Sequence, residues 1–218
     1  MRPLAIDLFT GLHGWAEGLV AEGFDVVGFD IENMCAQFGQ QRSPHVSLVI
    51  QDVLTLHGSQ FRDASLIVAS PPCQAYSYRA MPWKRAKALP PPDNTLFEAC
   101  FRIQREACEA AGWHIPLIVE NVRGAERWVG RARWNFGPFC LWGDVPALMP
   151  PSQGISKGMR CGRSSDGERQ FGSLNDPRRY GSKSKARKMA SAQAAKIPLP
   201  LSRYIAATFR PRIAEAAE

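Results

Sequence analysis

The 218-residue sequence has no C-x-x-C pair and no grouping of cysteine and histidine at metal-ligand spacing. A zinc site is therefore not expected. No stretch approaches the roughly 20 apolar residues that a membrane-spanning helix needs. The opening residues, "MRPLAIDLFTG", lack a basic leader, a long apolar core and a small-residue cleavage site, so no signal peptide is expected. There is no internal repeat, and no G-x-x-x-x-G-K-[ST] loop, which argues against a nucleoside triphosphate ligand. These absences point to a cytoplasmic protein. The six cysteines (35, 73, 100, 108, 140 and 161) should then stay reduced, five of them as small buried hydrophobes.

What is present is an ordinary globular composition, 45% apolar, with length for one domain and a sizeable core. A net charge of +7 and an isoelectric point near 9.3 favour a polyanionic partner, most simply nucleic acid. The charge is uneven: residues 151–195 hold ten Lys and Arg against three Asp and Glu, in a stretch rich in Gly and Ser.

Residues 1–125 alternate strand and helix patterns. The apolar runs 4–9, 24–30, 46–53, 65–70 and 115–121 read as strands. Residues 15–23 and "MCAQFGQQR" (34–42) read as helices, and 94–111 is the clearest helix. There Leu96, Cys100, Ile103, Ala107 and Ala111 recur at helical spacing, with Asp93 and Asn94 as capping candidates and Gly112 as the stop. Residues 133–151 hold one or two further strands, 152–195 are loop-rich, and 199–209 form a closing helix with Leu201, Ile205 and Phe209 on one face. Apolar strands separated by helices imply an α/β fold, a mostly parallel sheet covered on both faces.

Ligands of such sheets sit beyond the carboxyl ends of the strands. Asp7 with "FTGLHG", Asp30, Asp52, "PPCQ" and "ENV" fall at those ends in order. The Gly turn after the first strand lets the backbone approach a ligand. Asp30, about twenty residues on, stands where a carboxylate can hold ribose hydroxyls. Asp52 can accept a hydrogen bond from an adenine amino group. Together they describe an adenosyl pocket. Cys73, in "SPPCQAYS" after the fourth strand, is open to four readings: buried filler, metal ligand, disulfide or nucleophile. The lack of spaced ligands and the cytoplasmic character weigh against the middle two.

"DLFTGLHG" (7–14), "SPPCQAYS" (70–77) and "VENV" (119–122), in this order and spacing, resemble the first, fourth and sixth signature motifs of the C5-cytosine DNA methyltransferases. The resemblance covers roughly residues 4–125. "DNTLFEACFRI" is similar to the helix after that family's mobile catalytic loop, and "KIPLPLSRYIAATF" to the tail of its last motif. It implies a Rossmann-like class I S-adenosylmethionine-dependent methyltransferase fold. The organisation expected is a catalytic and cofactor-binding domain over 1–150, a reduced basic recognition segment over 151–195, and a C-terminal helix within 196–218 packing back on the catalytic domain.

The resemblance makes Cys73 the nucleophile that adds to C6 of cytosine and turns C5 into a carbon able to take a methyl group. Its thiolate is the reactive form, and nearby positive charge or a helix N-terminus would favour it. Pro72 aims the turn, Glu120 protonates or hydrogen-bonds N3 and the exocyclic amine, and Asn121 holds local geometry. Arg131 and Arg133 match an arginine-containing motif near the catalytic region. The cofactor set implied is Asp7, Phe9, Gly11, Gly14, Asp30, Ile31, Asp52, Val53 and Ser70, for S-adenosyl-L-methionine. The base must be flipped out of double-stranded DNA. Residues 78–93 then correspond to a mobile loop, and Gln74, Ser77, Arg79, Lys84, Arg85 and Lys87 to its DNA contacts. Arg160, Arg163, Arg178, Arg179, Lys183 and Lys185 are the recognition segment's candidates.

Two departures stand out. His13 occupies a position usually held by glycine, where it reads as a tolerated turn residue. "AAKIP" replaces the usual element before the last helix, which leaves one wall of the cofactor pocket open. The short basic segment predicts a short or loose recognition sequence, or a recognition or restriction partner; a monomer is expected. RNA or a free cytosine nucleotide as substrate, and a nucleic-acid-binding module with weak catalysis, stand as the competing readings.

Overall fold

The computed structural model describes residues 1–76, 90–152, 162–163, 169–170, 181 and 184–211. The five apolar runs form β1 (Leu4–Leu8), β2 (Asp25–Asp30), β3 (Val46–Ile50), β4 (Leu66–Ala69) and β5 (Leu117–Asn121), all parallel. Two more strands, β6 (Trp134–Phe136) and β7 (Phe139–Gly143), extend the sheet as a hairpin. The order is β3-β2-β1-β4-β5-β7-β6, with β7 antiparallel to both neighbours. The helices are α1 (Gly14–Ala21), α2 (Met34–Phe38), α3 (Thr95–Ala111), α4 (Glu126–Val129), α5 (Lys185–Ala195) and α6 (Leu199–Phe209). A separate antiparallel pair joins β8 (Gly162–Arg163) to β9 (Arg169–Gln170).

Side chains of the central strands alternate between two cores, because successive Cβ atoms leave opposite faces. On one face Ile6, Leu8, Ile67, Leu117 and Val119 pack on Phe97, Cys100, Ile103 and Ala107 of α3. On the other, Ala5, Val26, Leu66, Val68 and Ile118 pack on Trp15 and Leu19 of α1 and on Leu201 and Ile205 of α6. The expected two-sided, mostly parallel sheet is therefore present.

Helices α1 and α6 approach unusually closely. A Cβ on Gly14 would lie 2.5 Å from the backbone nitrogen of Ile197, and one on Gly18 would lie 2.5 Å from that of Arg203. Lys196–Glu17 and Arg203–Glu22 ion pairs flank the contact. Burying Leu201 and Ile205 is worth about 3–6 kcal/mol, whereas an exposed ion pair contributes ~0–1 kcal/mol. Packing holds α6 in place, and the ion pairs fix its edges.

Three details differ from the sequence expectations. The helix expected to reach residue 42 ends at Phe38, since Gly39 turns left-handed at φ 68°. Asp93 caps α3 by accepting from Thr95 N at 2.8 Å, while the Asn94 side chain accepts from Tyr76 Oη at 2.9 Å instead. The stretch expected to be loop-rich as far as residue 195 contains α5, capped by Ser184 Oγ accepting from Arg187 N at 3.2 Å. Its Ala, Lys, Arg and Gln residues favour helix without forming an apolar stripe, and none of its side chains is buried.

Candidate active site

The parallel strands β1 to β5 end on one edge, which gathers the motif residues that the sequence scatters. Chain exit from β1 is sharp: Phe9, Gly11 and His13 all have left-handed φ, at 60°, 50° and 59°. Asp7, fully buried, accepts from Thr10 Oγ1 at 2.7 Å, and the same hydroxyl lies 3.1 Å from His13 Nδ1. Among the described residues, the second carboxylate oxygen of Asp7 and Nε2 of His13 are buried without a hydrogen-bond partner. His13 is a turn residue before α1, as expected, and is also a buried member of a polar chain.

Burial raises the Asp7 carboxyl from an ordinary 3.8 to about 7; the Thr10 hydrogen bond opposes the shift, and the nearby Asp30 charge adds to it. Burial likewise lowers the His13 imidazole, helped by Arg42. The raised value means that the fold holds a proton on Asp7 which the unfolded chain releases. The stabilisation from that proton is fully present below about pH 4 and lost as pH rises through about 7. About three pH units correspond to roughly 4 kcal/mol. Asp7→Asn cannot ionise and should flatten the dependence. Urea midpoints between pH 4 and 8 should fall more steeply for the wild type. Parallel profiles would exclude a buried neutral Asp7.

At the end of β2, Asp30 accepts from Gly11 N at 2.9 Å and from Glu32 N at 3.2 Å, which pins the glycine turn to the neighbouring strand. Beside it Ile31 is 66% exposed, and Ile50 and Leu54 are 55% and 42% exposed around the exposed Asp52. Asp52 caps a short 3-10 turn by accepting from Leu54 N at 2.9 Å. Val53 buries its side chain in the core, so it offers this edge only backbone. At Gly14 residues 196–197 pack directly on the backbone, where a Cβ would lie 2.5 Å from Ile197 N. The apolar patch at Ile50 and Leu54 went unread in the sequence because outward residues of an edge strand look like core.

Ser70, at the end of β4, accepts from the Trp15 indole at 3.0 Å. Then come Pro71, buried, Pro72, exposed, and Cys73, half-buried, with Tyr76 N donating to Cys73 O at 3.0 Å to close the turn. Gln74 is exposed in that turn. At the end of β5, Glu120 and Asn121 are buried, at 5% and 1% exposure. Asn121 Nδ2 donates to Pro71 O at 3.0 Å, and its Oδ1 accepts from Val122 N at 2.8 Å. One amide therefore fastens the cysteine turn to the strand that carries Glu120.

Arg131 and Arg133 are exposed and line an open groove of about 700 Å³ with Arg123, Glu126, Trp134 and Asn135. They lie at the β6 edge of the sheet, outward from Glu120. Lys185 is exposed at the start of α5, and Arg163 belongs to β8. Ser77, Arg79, Lys84, Arg85, Lys87, Arg160, Arg178, Arg179 and Lys183 lie outside the described residues. Among the described residues no group of three or more His, Cys, Asp or Glu could hold a metal, and no helix is long and apolar enough to cross a membrane.

A parallel sheet in this order, closed by an antiparallel β7 between β5 and β6, is the class I S-adenosylmethionine-dependent methyltransferase fold. The family model for C-5 cytosine-specific DNA methylase matches residues 4–127, and the chain belongs to that family. Solved structures that resemble it include one described as a DNA modification methyltransferase encoded within an E. coli prophage, at 24% identity and TM-score 0.40, covering 59% of this chain and 35% of that one. Another is the S. pombe Dnmt2 methyltransferase, at 18% identity and TM-score 0.38, covering 58% and 36%. A third is the Entamoeba histolytica methyltransferase EhMeth, at 16% identity and TM-score 0.37, covering 58% and 40%. The chain thus spans 35–40% of the length of these three proteins. No curated protein matches the chain. Membership of the family implies S-adenosylmethionine as methyl donor. A carboxylate at Asp30 beside exposed apolar side chains fits its adenosyl group.

Proposed function

We propose that this chain transfers a methyl group to C5 of cytosine in double-stranded DNA, with Cys73 as a covalent nucleophile. The observation that carries the reading is the bond from Asn121 to Pro71 O, which holds the Cys73 turn against the strand bearing Glu120. S-adenosylmethionine, when bound, supplies an electrophilic methyl group on sulfur. Asp30 would hold its ribose hydroxyls, Ile31 and Asp52 would flank the adenine, and the Phe9–Gly11 turn would face the rest.

Position 5 of cytosine is too weak a nucleophile unless the ring is first activated. The Cys73 thiolate adds to C6, and the electron pair released into the ring makes C5 nucleophilic. Glu120 carries a proton to N3, so the ring does not accumulate negative charge, and accepts from the exocyclic amine. Pro72 fixes the direction of the turn, and Asn121 keeps it in register. After methylation a solvent base takes the C5 proton, the thiolate leaves C6, and N3 returns its proton to Glu120. The base reaches Cys73 only when turned out of the duplex, at a cost of a few kcal/mol. The basic residues of 151–195 supply phosphate contacts, and the protein acts as a monomer or with a recognition partner.

The test incubates the protein and labelled S-adenosylmethionine with duplex DNA, tRNA and dCMP. Label in duplex DNA at cytosine C5 is the expected outcome. Label confined to tRNA or to dCMP overturns the DNA assignment, and no transfer to any of the three overturns the reading altogether.

A further inference from the structure

Thr10 carries one hydroxyl proton and has two neighbours for it. Its Oγ1 lies 2.7 Å from Asp7 Oδ2 and 3.1 Å from His13 Nδ1, and all three side chains are buried. A hydroxyl that donates to one of them accepts from the other. When Asp7 is ionised, Thr10 donates to it and His13 Nδ1–H donates to Thr10. When Asp7 holds a proton the direction reverses: Asp7 donates to Thr10, Thr10 donates to Nδ1, and the single ring proton sits on Nε2. Burial pushes the imidazole down and favours the neutral ring that both states need. Nε2 has no partner among the described residues, so either tautomer forms without breaking a hydrogen bond there.

The chain lies directly under the ligand edge. Thr10 and His13 belong to the left-handed turn after β1, whose Gly11 amide is held by Asp30 at 2.9 Å. Thr10 N donates to Phe29 O at 3.2 Å, and a Cβ on Gly28 would lie 3.0 Å from Thr10 Oγ1, so Thr10 is clamped against β2. Charges converge from the elements packed around it: Asp30 from β2, Glu17 from α1, Arg42 from the chain after α2, and Lys196 from the segment before α6. Cys35 of α2 lies 4.0 Å from Gly11 O, and burial pushes its thiol up. β4 places Val68 beside Asp7. A charge at this edge already reaches Asp7, because the Asp30 carboxylate adds to the rise that burial imposes on it. A positive charge placed there acts in the opposite sense, and it acts over distance on a buried group.

The methyl donor and the product it leaves differ by one such charge. S-adenosylmethionine bears a sulfonium cation, and S-adenosylhomocysteine, the same molecule without the methyl group, has a neutral thioether. We propose that the Asp7–Thr10–His13 chain senses this charge: the cationic donor selects ionised Asp7, and the neutral product leaves the proton in place. This switch rests on the reading of the edge as the S-adenosylmethionine site. Asp7 gives its proton to solvent as the donor binds and takes one back once transfer has turned the sulfonium into a thioether. The His13 ring keeps one proton throughout, moved between Nε2 and Nδ1 by exchange with solvent. Ionised Asp7 favours the cation alone, so preference for donor over product rises with pH. Asp7 is thereby a specificity-determining residue that sets which form of the cofactor the edge retains.

The test is isothermal titration calorimetry with each ligand at pH 6.5, in two buffers of different ionisation enthalpy, which counts the protons exchanged per site. Asp7 titrates at about 7 in the free protein. A nearby cation lowers such a group by about one pH unit or more, so donor binding should release about half a proton per site and product binding close to none. The α-amino groups of both ligands titrate at about 8 and stay largely charged at this pH. Asp7→Asn should abolish the difference between the ligands. Between pH 5.5 and 8 the ratio of product Kd to donor Kd should rise roughly tenfold more in the wild type than in Asp7→Asn. Thr10→Val should move the release to higher pH, because the lost hydrogen bond favours the ionised form. Nitrogen-15 shifts should place the His13 proton on Nδ1 with donor and on Nε2 with product; one fixed tautomer overturns the coupling. Equal proton counts for the two ligands in the wild type overturn the switch, whether or not the variants fold. A folded Asp7→Asn that still releases half a proton does the same. Failure of the wild type to bind either ligand overturns the cofactor site and the switch together. Calorimetry as expected without methyl transfer sinks the transferase reading and leaves the switch standing.

Discussion

Cys73→Ser should transfer no detectable methyl group while binding its substrates and melting as the wild type does. Serine fills nearly the same space, so the turn closed by Tyr76 N on the residue-73 carbonyl and anchored by Asn121 should survive. What changes is the nucleophile. A cysteine sulfur is by far the better nucleophile, whereas a serine hydroxyl needs a strong base to ionise it. Losing an essential nucleophile costs about three orders of magnitude or more in turnover. A single-turnover assay with labelled S-adenosylmethionine and the best substrate checks it, with trapped adduct as a second readout. Cys73→Ser turning over within tenfold of the wild type would remove covalent catalysis from the mechanism.

Gly18→Ala should destabilise the protein, although alanine is the better helix former. The propensity gain is about 1 kcal/mol. Against it, the new methyl group would lie 2.5 Å from both Arg203 N and the carbonyl carbon of Ser202, so α6 must move as a body. Overpacking of this kind costs up to about 3 kcal/mol or more. The net loss, about 2 kcal/mol, corresponds to a fall in Tm of roughly 4–8 °C. Ser202→Ala in addition should not rescue it, because two of the colliding atoms are backbone. A Tm that rises shows that propensity wins and that the helices are less closely packed than described.

Much of this was readable before any coordinates, and the reasons differ by element. The five parallel strands are short, apolar on both sides and bounded by turn formers, so their pattern is unambiguous. α3 announces itself through a regular stripe, whereas α5 has none. The order Asp7, Asp30, Asp52, Cys73, Glu120 was legible because a parallel sheet delivers every strand end to one edge. The bond between Asn121 and Pro71 was not, since it joins residues 50 apart and no local pattern encodes such a pairing. The Asp7–Thr10–His13 chain escaped because its meaning depends on burial, which a single turn sequence does not reveal. Trp134 escaped for the opposite reason: an aromatic in a strand reads as core.

The close seating of α6 on α1 also has a kinetic side. The residues that close over Gly14 and Gly18 come about 180 positions after the helix that follows the glycine turn. During synthesis α1 and its half of the sheet must wait with an apolar face uncovered. Contacts of such long separation form slowly and expose the intermediate to aggregation. The protein should therefore seat α6 on α1 late, as one of the last events of folding.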